Sequence, residues 1–145
     1  CLIFFFLTYK DVKSYEIKII DGDTIYLNGE KIRFKGIDTP ELKQTCNKNN
    51  EVFPCGIEAR KLLIKKIGNN KVLCKKDGID RYKRILAECF VDDISLSSYL
   101  VRKGYAFAYR KYSKKFVNDE NYAKKNNFGM WSMKFEYPWD FRKKN

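Results

Sequence analysis

The chain has 145 residues, enough to bury one core and too few for two independent ones. Apolar residues make up 44% of it, with eleven Phe, ten Tyr and two Trp, which excludes a disordered chain. Thirty Lys and Arg against 18 Asp and Glu leave a net charge of +12, suited to a polyanion such as nucleic acid but equally to a cell-wall polymer or a membrane surface.

In chain order, residues 1–7 are wholly apolar, and 1–12 are expected to be the remnant of a signal peptide or membrane anchor. The alternative there is an edge strand, since seven apolar residues cannot span a bilayer. Cys1 is considered as a lipid-attachment residue, although Leu-Ile-Phe after it is a poor context. The domain proper is placed at 13–141. Residues 15–20 alternate as a half-buried strand, Asp21-Gly-Asp-Thr24 turns the chain, and 25–27 form a second strand. Asn28-Gly29 is a hairpin signal, because both central positions of a type I′ turn need positive φ, and it leads into a third strand at 31–37.

Residues 38–54, with two prolines and an Asn-Lys-Asn-Asn run, read as a long polar surface loop. From 56 to 67, Ile57, Ala59, Leu62, Leu63, Ile64 and Ile67 make one broad helical face that Gly68 closes. Strands follow at 71–75 and 85–91, joined by the charged turn 77–84. Residues 95–103 give a second helix stopped by Gly104, 105–109 an aromatic extended segment, 116–126 a third helix, and 142–145 a frayed basic tail. Five short strands with a helix between the third and fourth is the order of an OB-type β-barrel, so an α+β fold with about three helices is expected.

Of five cysteines, four fall into a pair around the polar loop and a pair on two strands, which favours bridges Cys46–Cys55 and Cys74–Cys89. Four cysteines allow three connectivities, and buried thiols in a reducing compartment are the alternative. Their spacing lacks the CxxC pattern or His partner of a zinc site. There is no His at all, so hydrolytic chemistry would run on carboxylates, Arg, Lys, Tyr or a thiol. An oxygen-preferring ion such as calcium or magnesium is then the natural electrophile.

Unusual polar residues concentrate in Asp21-Gly-Asp-Thr24, in Arg33 with Asp38-Thr-Pro-Glu41, and in Asp80-Arg-Tyr-Lys-Arg84. Each alone reads as a turn, a strand exit or a solvated cationic loop. In this order, followed by Val101-Arg-Lys-Gly-Tyr-Ala106 and Gly129-Met-Trp-Ser132, they resemble the thermonuclease (staphylococcal nuclease-like) family over residues 15 to 133. Pro54-Cys-Gly56, the paired cysteines and Pro138-Trp139 with an Arg nearby resemble an exported bacterial branch of it.

The resemblance implies a Ca²⁺-dependent endonuclease acting on DNA and RNA, with 3′-phosphate products. Asp23 and Asp38 would supply carboxylates and Thr39 its carbonyl to the ion, with Asp21 outside them holding a water. Glu41 would be the general base, at an offset from Asp38 that Pro40 restrains. Arg33 and Arg84 would be the catalytic arginines, whose planar forks match phosphate oxygens. Tyr82 would contact the nucleotide, and Tyr109 or Tyr112 would stack on bases, preferentially in single-stranded or locally melted substrate. Lys83 replaces the glycine of the family's DRYGR pattern, and the 42–54 loop differs from that of better-known members. An exported protein, monomeric and without an obligate protein partner, is expected. The alternative is a non-catalytic OB-fold nucleic-acid binding module, in which charge and aromatics persist while the acidic cluster and arginines do not.

Overall fold

The computed structural model describes residues 14–145. The apolar leader and Cys1 lie outside the described residues. An antiparallel meander opens the fold: β1 (Ile17–Ile19), β2 (Thr24–Leu27) and β3 (Glu30–Phe34), with Ile19 opposite Ile25 and Thr24 opposite Arg33. The hairpin between β2 and β3 forms at Asn28-Gly29, whose φ values of 51° and 83° are those that a two-residue turn of this hand demands.

The third strand ends earlier than residue 37. At Gly36 the chain turns with φ 80°, and Ile37–Asp38 (β4) leaves the main sheet to pair with Phe107–Ala108, numbered β10 below. The expected open loop 38–54 also carries structure, for Cys46–Lys48 (β5) and Glu51–Phe53 (β6) form a small hairpin through two positive-φ asparagines, Asn49 and Asn50. Asparagine tolerates that conformation better than most residues.

Helix α1 (Cys55–Ile67) buries Ala59, Leu63 and Ile67 at four-residue spacing, whereas Ile57 and Ile64 are exposed, so its buried stripe is narrower than the sequence suggests. Strand β7 (Leu73–Ile79) runs further than expected, and β8 (Ile85–Val91) pairs with it and, in parallel, with β3. Strand β9 (Ile94–Ser95) folds back on β8, and α2 (Leu96–Arg102) starts where the Ser95 side chain accepts the Ser98 N–H. After β10 (Phe107–Ala108) come α3 (Val117–Lys125), a 3₁₀ turn (Gly129–Ser132) and α4 (Pro138–Lys144).

The class is α+β, with a mixed sheet ordered β1-β2-β3-β8-β7 and β9 added at β8. Among the described residues four α-helices stand where about three were expected. The extra one includes the supposed tail: residues 142–144 are helical, because Pro138 occupies the first turn and aromatic side chains behind it have a cluster to join. Among the described residues no ladder joins β1 to β7, although the Val72 N–H donates to the Tyr15 hydroxyl at 3.0 Å and brings the two edges together.

The main core lies between the sheet and helices α1 and α2, with Ile25, Phe34, Leu63, Ala87 and Leu100 fully buried. A second cluster gathers Phe107, Met130 and the Cys46–Cys55 bridge with the partly buried Trp131, Phe135, Tyr137 and Trp139. Both expected disulfides are formed, and Cys74–Cys89 links residues directly opposite in the β7–β8 ladder. No helix among the described residues is long and apolar enough to cross a membrane.

Candidate active site

The acidic cluster is assembled from two turns. In the first, Asp21 accepts the Asp23 N–H at 3.0 Å through its own carboxylate, the side-chain turn that aspartate favours. The turn packs closely on the second loop, since a Cβ on Gly22 would lie 2.9 Å from Thr39 Oγ1. Asp23 crosses between the two: its Oδ2 accepts the Thr39 N–H at 2.8 Å, and its Oδ1 accepts the Thr24 hydroxyl at 3.2 Å. Asp38, at 1% exposure, is paired through its backbone with Phe107.

Arg33 binds these carboxylates together. One terminal nitrogen lies 3.2 Å from Asp23 Oδ2 and 3.2 Å from Asp38 Oδ1, and the other donates to the carbonyls of Phe34 and Ile37 at 2.7 and 3.0 Å. The guanidinium is thus fixed on both sides. Its charge stands against two carboxylates that are almost out of water, where ion pairs are screened least.

Glu41 reaches the same rim by a separate brace. Its N–H donates to Gln44 Oε1 at 3.1 Å, and buried Gln44 donates from Nε2 to the Glu136 carbonyl at 2.7 Å. Gly56, at the start of α1, lets the loop come this close, because a Cβ there would fall 1.8 Å from the Glu41 carbonyl oxygen. The Cys46–Cys55 bridge lies beside this contact and ties the β5–β6 hairpin to α1.

Arg142 completes the cluster, and the sequence reading missed it. From α4 it donates to Asp38 Oδ2 at 2.7 Å, to Asp38 Oδ1 at 3.0 Å and to Glu41 Oε1 at 2.8 Å. These bonds raise its pKa above the ordinary arginine range. The signal was present in Pro138-Trp139 followed by an arginine, but a short basic end in sequence looks solvated. Phe107 explains the docking: it is Asp38's partner in the ladder and also packs edge-on to Tyr137 and Trp139, with centroids at 5.1 and 6.2 Å.

Burial, and then the charge of Asp23, push the Asp21 carboxyl up to about 7. Burial also raises Asp38, against the opposing pull of Arg142 and Arg33. Carboxylates in that condition seek positive charge. Among the described residues no group of three or more His, Cys, Asp or Glu has metal-ligating spacing. Asp23 and Asp38, both buried, together with a backbone carbonyl and waters, would offer an oxygen-preferring ion a hard-oxygen set.

Arg84 stands apart. Its Nε donates to Asp80 Oδ2 at 2.7 Å and its backbone N–H to Asp80 Oδ1 at 3.0 Å. Although slight burial opposes it, these bonds and those of Tyr82 hold the Asp80 carboxyl below its usual range. Lys83, where the resemblance expects glycine, adopts φ 62° and closes the turn. Arg84 directly precedes β8, whose Leu86 is paired with Arg33 in the parallel ladder, so the two arginines stand at neighbouring strands. The ion pair of Arg84 is with Asp80 and not with Asp23, Asp38 or Glu41, and its guanidinium lies 5.3 Å from the centre of the Tyr82 ring.

Tyr82 and Tyr112 are 63% and 61% exposed, with the Arg81 and Arg84 guanidiniums 4.8 and 5.3 Å from the centre of the Tyr82 ring. Tyr109 is engaged: it stacks on Trp139 at 5.3 Å and 4° and meets Tyr112 edge-on at 5.0 Å.

The family model described as staphylococcal nuclease homologue matches residues 31–133, which include Arg33, Asp38, Glu41 and Arg84 but neither Asp23 nor Arg142. The probable staphylococcal-like nuclease CAN3 of Oryza sativa subsp. japonica is 30% identical over 140 residues, 94% of this chain and 35% of the plant protein. Endonuclease YncB of Bacillus subtilis is 35% identical over 128 residues, 79% of this chain and 59% of that protein. An uncharacterized protein of Methanocaldococcus jannaschii is 30% identical, over 86% of this chain and 74% of its own length. The chain thus spans about a third of the plant nuclease it matches.

Proposed function

The chain belongs to the staphylococcal nuclease homologue family, and from that membership we propose that it is a calcium-dependent endonuclease hydrolysing phosphodiester bonds in DNA and RNA, leaving 3′-phosphate ends. The observation that carries the reading is the Arg33 guanidinium held 3.2 Å from both Asp23 and Asp38, on the rim that Glu41 also occupies. A basic chain with no use for a buried acidic cluster has little reason to build one.

Asp23, Asp38 and the Thr39 carbonyl would hold the ion, with Asp21 behind them. Bound there, Ca²⁺ supplies Lewis-acid charge beside the scissile phosphate. Glu41 orients a water and accepts its proton as the water oxygen bonds to phosphorus and the bond from phosphorus to the 5′-oxygen breaks, the departing oxygen taking a proton from solvent to leave as a hydroxyl. Arg84 offers its guanidinium to the phosphate oxygens, while Arg33, whose terminal nitrogens already bind protein oxygens, adds its fixed positive charge; together they oppose the charge that grows in the pentacoordinate transition state. Tyr82 and Tyr112 offer their exposed rings to bases, with Tyr109 fixing the base of that platform.

We read the sheet as an OB-type barrel, in which the contact of Tyr15 with Val72 marks the approach of the two edges. The two disulfides favour an oxidising, extracytoplasmic setting. The test is nicking of plasmid and single-stranded DNA with calcium and with EGTA. Cleavage that stops in EGTA and returns with calcium supports the reading; persistent cleavage in EGTA defeats the metal assignment, and DNA binding with no cleavage under either condition favours a pure binding module.

A further inference from the structure

We propose that Arg142 is a tethered counter-ion which a divalent cation must displace from Asp38, so that docking of α4 and loading of the metal oppose each other. The inference rests on the reading of Asp23 and Asp38 as the metal carboxylates. It adds to that reading a residue outside the family-matched span and a condition on when the site can bind its ion.

An ionised carboxylate has about four lone-pair positions. At Asp38 three are committed to guanidinium nitrogens: Oδ1 accepts from Arg33 at 3.2 Å and from Arg142 at 3.0 Å, and Oδ2 accepts from Arg142 at 2.7 Å. Arg33 is held from behind by two backbone carbonyls and cannot easily leave. Arg142 has no such backing and its side chain is 40% exposed. A cation ligated by Asp38 would occupy the space in front of the same oxygens, at like charge to the guanidinium, so Arg142 is the group that gives way.

The same nitrogen that binds Asp38 Oδ1 binds Glu41 Oε1 at 2.8 Å. Displacing Arg142 therefore releases Glu41 as well, and the base becomes free to hold water only when the ion is in place. The tether is aromatic: Trp139 lies flat against Tyr137 at 4.7 Å and against Tyr109 at 5.3 Å, and Lys144 pairs with Glu136 at 2.7 Å. Arg142 consequently stays at high local concentration after it is displaced. By reciprocity, whatever holds α4 down weakens the cation, and the cation loosens α4 by the same factor.

The experiment is calorimetric titration of calcium into the full chain and its Arg142→Ala, Arg142→Gln and Arg142→Lys variants. Hydrogen exchange over residues 138–144 is followed with and without calcium, and near-ultraviolet circular dichroism reports whether the Tyr137–Trp139 stack survives. The expected result is that Ala and Gln bind calcium about tenfold more tightly than wild type, Lys falls between, and calcium speeds exchange in α4 of the wild type only. Equal or weaker affinity in both neutral variants with the stack intact overturns the proposal and leaves the metal assignment standing. Failure of every form to bind calcium overturns the metal assignment and this proposal together. If both neutral variants lose the stack, unchanged affinity again overturns it, because an undocked helix also removes the guanidinium.

Discussion

Arg142 and Asp38 stand 104 residues apart in sequence, yet two nitrogens of one meet both carboxylate oxygens of the other at 2.7 and 3.0 Å. The meeting is arranged by Phe107, which is the ladder partner of Asp38 and the surface on which Tyr137 and Trp139 pack. The helix that carries the cation and the strand that carries the anion are thus positioned by one residue, through its ring on one side and its backbone on the other.

Glu41→Gln keeps the shape of the side chain and the N–H bond to Gln44 but removes the proton acceptor. Turnover on DNA should fall by about 10²–10⁴, the usual contribution of a general base. Gel-shift affinity for DNA in EGTA should be retained, and a variant with undiminished turnover would remove Glu41 from the chemistry.

Arg33 and Arg84 should separate in a stability assay. Arg33→Ala leaves two buried carboxylates without their shared cation, a loss of about 3–5 kcal/mol, because Arg33 contacts both Asp23 and Asp38. Arg84→Ala loses a partly buried pair with Asp80 inside one turn, at the edge of solvent rather than in the core, and should cost about 1 kcal/mol. Both should depress cleavage strongly, by about 10²–10³. Urea unfolding beside nicking rates checks this, and equal destabilisation by the two would contradict the geometry.

The two disulfides should differ in what their loss does. Cys46 and Cys55 stand beside the Gly56 contact that seats the Glu41 carbonyl, so Cys46→Ser with Cys55→Ser should lower activity more than residual folding explains. Gly56→Ala should do the same, since its added methyl would meet the Glu41 oxygen. Removing Cys74–Cys89, within the β7–β8 ladder, should lower stability by about 2–4 kcal/mol and leave the folded enzyme active. Specific activity measured per folded molecule distinguishes the cases.

The Asp21 carboxyl lies at about 7 in the fold against a usual 3.8. Between those values the native chain holds a proton that the unfolded chain has released, so stability in EGTA should fall as pH rises through about 4 to 7. Asp38 is raised in the same direction and adds to the slope. Asp21→Asn should flatten the dependence without abolishing it, and calcium affinity should rise over the same interval. Denaturant midpoints against pH give the measurement, and an unchanged slope in the Asn variant would speak against the burial of Asp21 as its cause.

The elements with strong local signals are legible in the sequence. Asn28-Gly29 can only turn one way, Ala59, Leu63 and Ile67 recur at helical spacing, and 85–91 is a run of strand formers, so these appear where expected. Asp23, Asp38 and Glu41 could be named as a group from their short motifs and the resemblance those motifs carry. The hairpin at 46–53 was hidden because its residues are polar and its pairing is stabilised by a bridge to α1. What only the tertiary structure decided is the charge balance of the site. Arg33 as the cation shared by two acids, Arg84 held by Asp80, and Arg142 brought in on α4 depend on strand register and on aromatic packing around Phe107. A sequence states which residues carry charge; which charges leave water together is set by contacts between distant segments.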